Sequence, residues 1–332
     1  MTHDDSTTPT RTRRCSRRSV LAFAGSAVTV GLAGCLTGNS TAAHGWQRVD
    51  SPTGKALHDV VFSTEGPVAA GESGRVLARS DDDWETVVES GPGGASNGLT
   101  GAAVTNDGER VWVCGDSGAA GYYDVADDEL TDRSAPKEKT SSWADVAVVG
   151  QAGVERISLI NGSGELLVGR NQQGTIQWSE VTKPTDGDSV NAITMRGSTG
   201  YLCDTNGNVS RKRSDGGWRS IGIDDVSAGI HDVATLDADT VTAVADDGSI
   251  FLYNGFNWIS VASVENALHA VDRRDGRGAA VGPGGTVVTV DGNEWSAADT
   301  SVSKTLHGVA LGTVEYSDVA VGADGTILEN FQ

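Results

Sequence analysis

The chain has 332 residues, and 45 acidic against 25 basic side chains give it a formal net charge of −20. That excess argues against a nucleic-acid partner, because phosphates would be repelled and no basic patch stands out in the sequence. The one long apolar run, Val20 to Ala33, has fourteen residues, which suits a signal-peptide core and falls short of the roughly 18 that span a bilayer; an uncleaved N-terminal anchor with an incidental Cys35 is the alternative.

Residues 1–34 read as an address. Five arginines lie between Arg11 and Arg18, and Ser16-Arg17-Arg18-Ser19-Val20-Leu21 reads as a twin-arginine export signal. The run ends in Leu32-Ala33-Gly34-Cys35, which resembles the lipobox of secreted lipoproteins, so Cys35 is expected to carry lipid as the first residue of the mature protein. Two chains on Cys35 would hold the protein stably at a membrane surface, and one only marginally. Removing five arginines and two aspartates with this segment takes the net charge to about −23. The remaining carboxylates are scattered among many turns, the pattern of a solvated surface similar to that of secreted halophilic proteins. Residues 35–43 are expected to form a polar tether, and everything from 44 to 332 is repeat.

A column of turn glycines sets the period. Gly74, Gly118, Gly164, Gly207, Gly248, Gly285 and Gly325 recur about every 40 residues, each between short β-type runs. Such a period predicts an all-β, seven-bladed β-propeller of four-stranded blades. In blade 1 the innermost strand begins at Leu57-His58-Asp59-Val60, the third starts after Gly74, and Trp84 opens the outermost. A second column, Trp84, Trp178, Trp218, Trp258 and Trp295, falls on that outermost strand, with Leu130 in its place in blade 2. In blade 3 the spacing from Gly164 to Trp178 is about four residues longer, which predicts an enlarged turn between the third and outermost strands. The last copy has Gly325 and no Trp after it, whereas Gly45-Trp46-Gln47-Arg48-Val49 has a Trp and no Gly before it. The ring is therefore expected to close with the N-terminal strand of Trp46 completing the last blade, which removes an open sheet edge. The tryptophans are expected to fasten successive blades as core, not as a ligand stack.

Few residues suggest chemistry. Cys114 and Cys203 share one column in blades 2 and 4, too far apart for a disulfide, and are expected to be buried free thiols. His58, His231, His269 and His307 share another column, each followed two residues later by Val, while blades 2, 3 and 4 place Thr100, Ala144 and Asn191 there. An arc of four imidazoles at one mouth of the channel could bind a metal or an anionic ligand. The competing reading is architectural: each histidine opens an innermost strand and bonds the next blade's backbone. An arc is not expected to converge on a metal, since zinc needs nitrogens near 2.0–2.1 Å around one point. Asp204-Thr205-Asn206-Gly207-Asn208 starts like a calcium loop but has Val209 where glycine is required. No catalytic motif and no cofactor motif is present.

The words Leu57-His58-Asp59-Val60, Leu306-His307-Gly308-Val309, Val281-Gly282-Pro283-Gly284-Gly285-Thr286-Val287 and Ser214-Asp215-Gly216-Gly217-Trp218 resemble the repeats of photosystem II stability and assembly factor-like propellers, with kinship to the Asp-box repeats of sialidases. The resemblance spans residues 44–332 and implies a non-enzymatic scaffold that binds protein clients. The expected protein is a monomeric, lipid-anchored binder of another protein at the outer face of the cell membrane. A sialidase-type hydrolase or a lyase is the alternative, recognisable by Arg, Tyr and carboxylates converging in a deep mouth; a shallow face with exposed aromatics would favour binding. A purely structural envelope component is a third.

Overall fold

Each repeat read from the glycine column folds as one four-stranded antiparallel sheet, and there are seven. The computed structural model describes residues 45–332 apart from positions 81, 82, 186, 224, 225, 227, 275, 293 and 332. The expected signal, Cys35 and the tether lie outside the described residues. Blades 1 to 6 follow the chain, innermost strand first: 57–88, 99–132, 143–178, 190–220, 230–263 and 270–298. Blade 7 takes its three inner strands from Leu306–Ala310, Asp318–Gly322 and Ile327–Phe331, and its outermost from Gly45–Val49. Gly45 lies opposite Phe331 and Val49 opposite Ile327, so the first and last described strands zip into one sheet as expected.

The glycine column is needed for two reasons. All seven residues have positive φ, from +68° at Gly325 to +86° at Gly207, a region that a Cβ disfavours. A Cβ at Gly325 would also lie 1.9 Å from the Thr53 carbonyl oxygen, and one at Gly285 would lie 2.0 Å from that of Val302. These turns press on the segment leading into the next blade. In blades 1, 2, 6 and 7 the turn is a short 3₁₀ piece entered from a second glycine (Gly71, Gly115, Gly282, Gly322). Blades 3 and 4 use Asn161 and Asp204 instead, whose side-chain oxygens accept the turn's own backbone N–H groups.

The core is divided among the blade interfaces. Each tryptophan of the column packs into a cluster shared between its own blade and the preceding one: Trp84 between blades 7 and 1, Trp178 between 2 and 3, Trp218 between 3 and 4, Trp258 between 4 and 5, Trp295 between 5 and 6, and Trp46 between 6 and 7. Leu130 fills the same place between blades 1 and 2. Only Trp46 and Trp84 are fully buried; the other four lie half-buried at the outer rim, which tempers the expectation of a uniform core. Cys114 and Cys203 are buried free thiols in separate clusters. The expected enlarged turn of blade 3 is absent. Its extra residues lengthen the third strand to Leu166–Gln172, and a tight turn at Gln173-Gly174 leads to Thr175–Trp178. Asn171 is buried there and donates to Glu155 Oε1, which holds the long strand against the neighbouring turn.

Antiparallel order gives the ring two distinct faces. Innermost strands begin on the upper face, which also carries the glycine turns and the inter-blade segments. Turns between the first and second strands, and between the third and fourth, lie on the lower face. Gly45 starts its strand on the lower face and Phe331 ends there.

Candidate functional site at the channel mouth

The innermost strands open with a repeated irregularity. In blades 1 to 5 and blade 7, the pairing with the second strand skips one residue between the first and third positions, as between Leu57 and Asp59. The skipped residue is the histidine column. A bulge of this kind re-aims a side chain out of the ladder, and here it delivers His58, His231 and His307 to the upper mouth, where His269 of blade 6 joins them. The four rings touch in sequence: His231 to His269 at 4.9 Å between centroids, His269 to His307 at 5.9 Å and nearly parallel, His307 to His58 at 5.3 Å. They form one continuous row across blades 5, 6, 7 and 1.

Packing disfavours the protonated form of three of the four rings. Burial pushes the His307 imidazole down to about 4, helped by the neighbouring His58 and His269 rings. His269 is lowered by burial and by His231, and His58 by burial against the opposing pull of Glu72 and Asp116. His231 Nε2 lies 2.6 Å from Asp246 Oδ1 of the adjoining turn. A neutral imidazole presents one donor and one acceptor nitrogen, so the row with its flanking Glu72, Asp116 and Asp246 suits polar and cationic groups.

The architectural reading holds for part of the column. Thr100 Oγ1 donates to the Trp143 carbonyl at 2.8 Å, Asn191 Nδ2 donates to that of Ile230 at 2.8 Å, and His269 bonds the Leu306 backbone. The accepting residue holds the same place in each next blade. Among the described residues no group of three or more His, Cys, Asp and Glu has the geometry of a metal site.

One residue further in lies a feature that the sequence reading missed. Asp59, Asp145 and Asp232 line the channel of about 590 Å³, and Asp272 lines it two positions deeper in blade 6. Each carboxylate accepts one backbone N–H of its own strand and one of the next blade: Asp59 from Val60 and Ala102, Asp145 from Val146 and Ile193, Asp232 from Val233 and Val271, Asp272 from Arg273 and Leu311. Small residues make room for them. A Cβ on Gly101 would meet Asp145 at 2.7 Å, and one on Gly308 would meet the Asp59 Cα at 2.9 Å. Loss of hydration outweighs the N–H bonds and pushes Asp59 up to about 7 and Asp232 to about 6, with Asp145 and Asp272 also raised. The signal was present as His58-Asp59, Ala144-Asp145 and His231-Asp232, but Gly101, Ala192, Ala270 and Gly308 interrupt it.

The channel brings carboxylates towards Arg196, Arg273 and Arg274 at its lower mouth, but no tyrosine lines it. Tyr123, Tyr201 and Tyr253 spend their hydroxyls on Asp128, the Ala238 carbonyl and the Gly255 carbonyl within the blades. On the lower rim Phe256 is 87% exposed beside a notch walled by Ile221, Tyr253 and Trp258. Contrary to the sequence reading, there is a basic sector: burial and the nearby Arg170 lower the proton affinity of Arg156, and burial with Arg156 and Arg170 lowers that of Lys212, next to a hollow lined by Arg211, Arg213 and Arg219.

Comparison with solved structures agrees with this architecture. The chain is a seven-bladed β-propeller. YCF48 from Cyanidioschyzon merolae superposes with a TM-score of 0.66 at 16% identity, over 86% of this chain and 98% of that one. A structure of YCF48 bound to D1 peptide matches at 0.67 and 12%, over 88% and 96%. The virginiamycin B lyase of Staphylococcus aureus matches at 0.69 and 12%, over 86% and 98%. At such identities the likeness is one of fold. No family model matches the sequence, and no curated protein does.

Proposed function

We propose that this propeller is a non-enzymatic, lipid-anchored binder of another protein at the outer face of the cell membrane, exported by the twin-arginine route, and that His58, His231, His269 and His307 form its recognition surface. The observation that carries this reading is that the fold does not require imidazoles at that column. Thr100 and Asn191 make the same inter-blade hydrogen bond, and Ala144 stands there with no polar side chain. Four successive blades nevertheless carry histidine, and the rings join into one row. The open mouth, with Glu72, Asp116 and Asp246 around it, suits a polar or cationic segment of a partner. The solved relative bound to D1 peptide supports a propeller of this class taking a polypeptide. The alternative, a hydrolase or lyase, is favoured only by the Asp and Arg side chains that share the channel.

The test is recovery of partners from detergent-solubilised membranes with the wild type and with the fourfold variant His58→Asn, His231→Asn, His269→Asn, His307→Asn. Asn already occupies the column in blade 4, so the variant should keep its far-ultraviolet circular dichroism and melting cooperativity. Proteins retained by the wild type should be lost from the variant. Identical bands from both would sink this assignment.

A further inference from the structure

We propose that the lower face of the propeller lies against the lipid surface, seated on three apolar turn tips, Val154, Phe256 and Val314. This orientation rests on the reading of a membrane-anchored protein. Large apolar side chains exposed on a surface are ordinary when scattered, but here they are sorted. The exposed ones among the described residues are Val154, Phe256, Ile259, Val314 and Phe331. Val154 and Val314 sit in turns between the first and second strands, Phe256 in a turn between the third and fourth, Ile259 one residue beyond that strand's start, and Phe331 at the end of the last third strand. Every one of these positions belongs to the lower end of its blade, and the upper face has none.

The three tips are presented to solvent by their turns. Phe256 is 87% exposed at the apex of a turn pinned by Asn254 Oδ1, which accepts the N–H groups of Phe256 and Asn257. Val154 is 63% exposed, and Val314 is fully so. They belong to blades 3, 5 and 7, spread around the ring instead of gathered in one groove. A peptide could cover one of them; a planar surface meets all three together. Exposed Arg196, Arg213 and Arg274 lie at the same end and can meet lipid phosphates. Glu65, Glu109 and Asp237 lie there too, so apolar contact, not charge, decides the proposal.

The chain's connectivity argues the same way. Gly45 begins its strand on the lower face, and Cys35 precedes it by ten residues. Ten residues reach at most about 35 Å when fully extended. A lipid on Cys35 would therefore keep this face, and not the histidine mouth, beside the bilayer. Three small apolar tips bind a membrane weakly alone, but a short leash raises their effective concentration to the millimolar range. The histidine row would then face outward.

The experiment enforces the leash chemically, so that it does not depend on whether cells lipidate Cys35. Full-length Cys15→Ser protein, with Cys114 and Cys203 buried, is coupled through Cys35 to a maleimide-headgroup lipid in vesicles of dioleoylphosphatidylcholine and dioleoylphosphatidylglycerol (7:3). Amide hydrogen exchange is compared with the uncoupled protein. Exchange should slow at least about threefold in 150–156, 254–259 and 312–317, and stay unchanged in the upper turns 245–248 and 283–286. The variant Val154→Ser, Phe256→Ser, Val314→Ser, altered only at exposed positions, should lose that protection while remaining coupled. Unchanged exchange at both faces, protection of the upper turns, or protection that the triple variant retains would each overturn the proposal; the last would point to mere proximity to the bilayer. Mass spectrometry of Cys35 from native membranes tests the anchor separately.

Discussion

Blade 4 is continuous in sequence, and blade 7 is assembled from the two ends of the folded chain, yet the discontinuous blade is the better fastened. Blade 4 ends in an outermost strand of three residues, Trp218–Ser220, and its Trp218 is only half-buried. Blade 7 closes with five paired positions, and its Trp46 is 3% exposed. Its Glu329, also buried, accepts from Arg79 Nε at 2.5 Å and from Trp84 Nε1 at 2.9 Å, both in blade 1. The cross-blade ion pair of blade 4, Arg211 with Asp239, has its carboxylate 62% exposed. What holds a blade is burial at its two flanks and not the covalent order of its strands. The seam, where closure can fail, carries more of that burial.

This contrast gives the largest expected effect. Trp46→Ala removes a fully enclosed ring and frees a strand, and should lower unfolding free energy by about 3–5 kcal/mol. Trp218→Ala, already half in water, should cost about 1–2 kcal/mol. Urea titrations read by tyrosine and tryptophan emission measure both. Equal losses at the two sites would mean that the seam has no special standing.

A second pair of substitutions sharpens the electrostatic half of the comparison. Glu329→Ala removes the buried carboxylate to which Arg79 and the Trp84 indole N–H both donate, at a cost of about 3 kcal/mol. Arg211→Ala breaks a screened surface pair and should cost below about 1 kcal/mol. If Glu329→Ala proves as mild as Arg211→Ala, the seam is held by apolar packing alone.

The seam was legible because two periodic columns, glycine and tryptophan, each failed at one end of the chain and the failures complemented one another. The columns were legible for a physical reason: each answers a local demand that recurs from blade to blade, positive φ at Gly325 or a large apolar side chain in the place of Trp84, which Leu130 fills in blade 2. The aspartate belt answers a demand between blades. A carboxylate at Asp145 needs a missing side chain at Gly101, and Asp59 needs one at Gly308, so the pattern alternates and shifts register at Asp272. The tips Val154 and Val314 occupy turns of different length and share no column at all. The longer spacing in blade 3 misled because a strand and a turn can absorb extra residues equally well in sequence; the buried Asn171–Glu155 contact favours the strand.

An effect smaller than those expected at the seam concerns the column that blades 7 and 4 fill differently, with His307 and Asn191. His307 is held at about 4, below its ordinary value of 6.5, so the unfolded chain takes up a proton before the folded one does. Its contribution is intact above pH 6.5 and is lost as pH falls towards 4. His307→Asn copies the residue of blade 4 and removes this loss. At pH 8 the variant should match the wild type within about 0.5 kcal/mol. At pH 4 it should be more stable by about 1–2 kcal/mol, after allowance for a ring half-open to solvent. The aspartate belt works in the opposite sense, since Asp59 at about 7 and Asp232 at about 6 favour the folded state as pH falls through those values. Only the difference between variant and wild type isolates the imidazole, because the belt is common to both. Chemical denaturation at pH 4, 6 and 8 would show a difference that grows steadily on acidification. A difference that stays flat from pH 8 to pH 4 would mean that His307 titrates freely, and that the row of rings is too open to resist protonation.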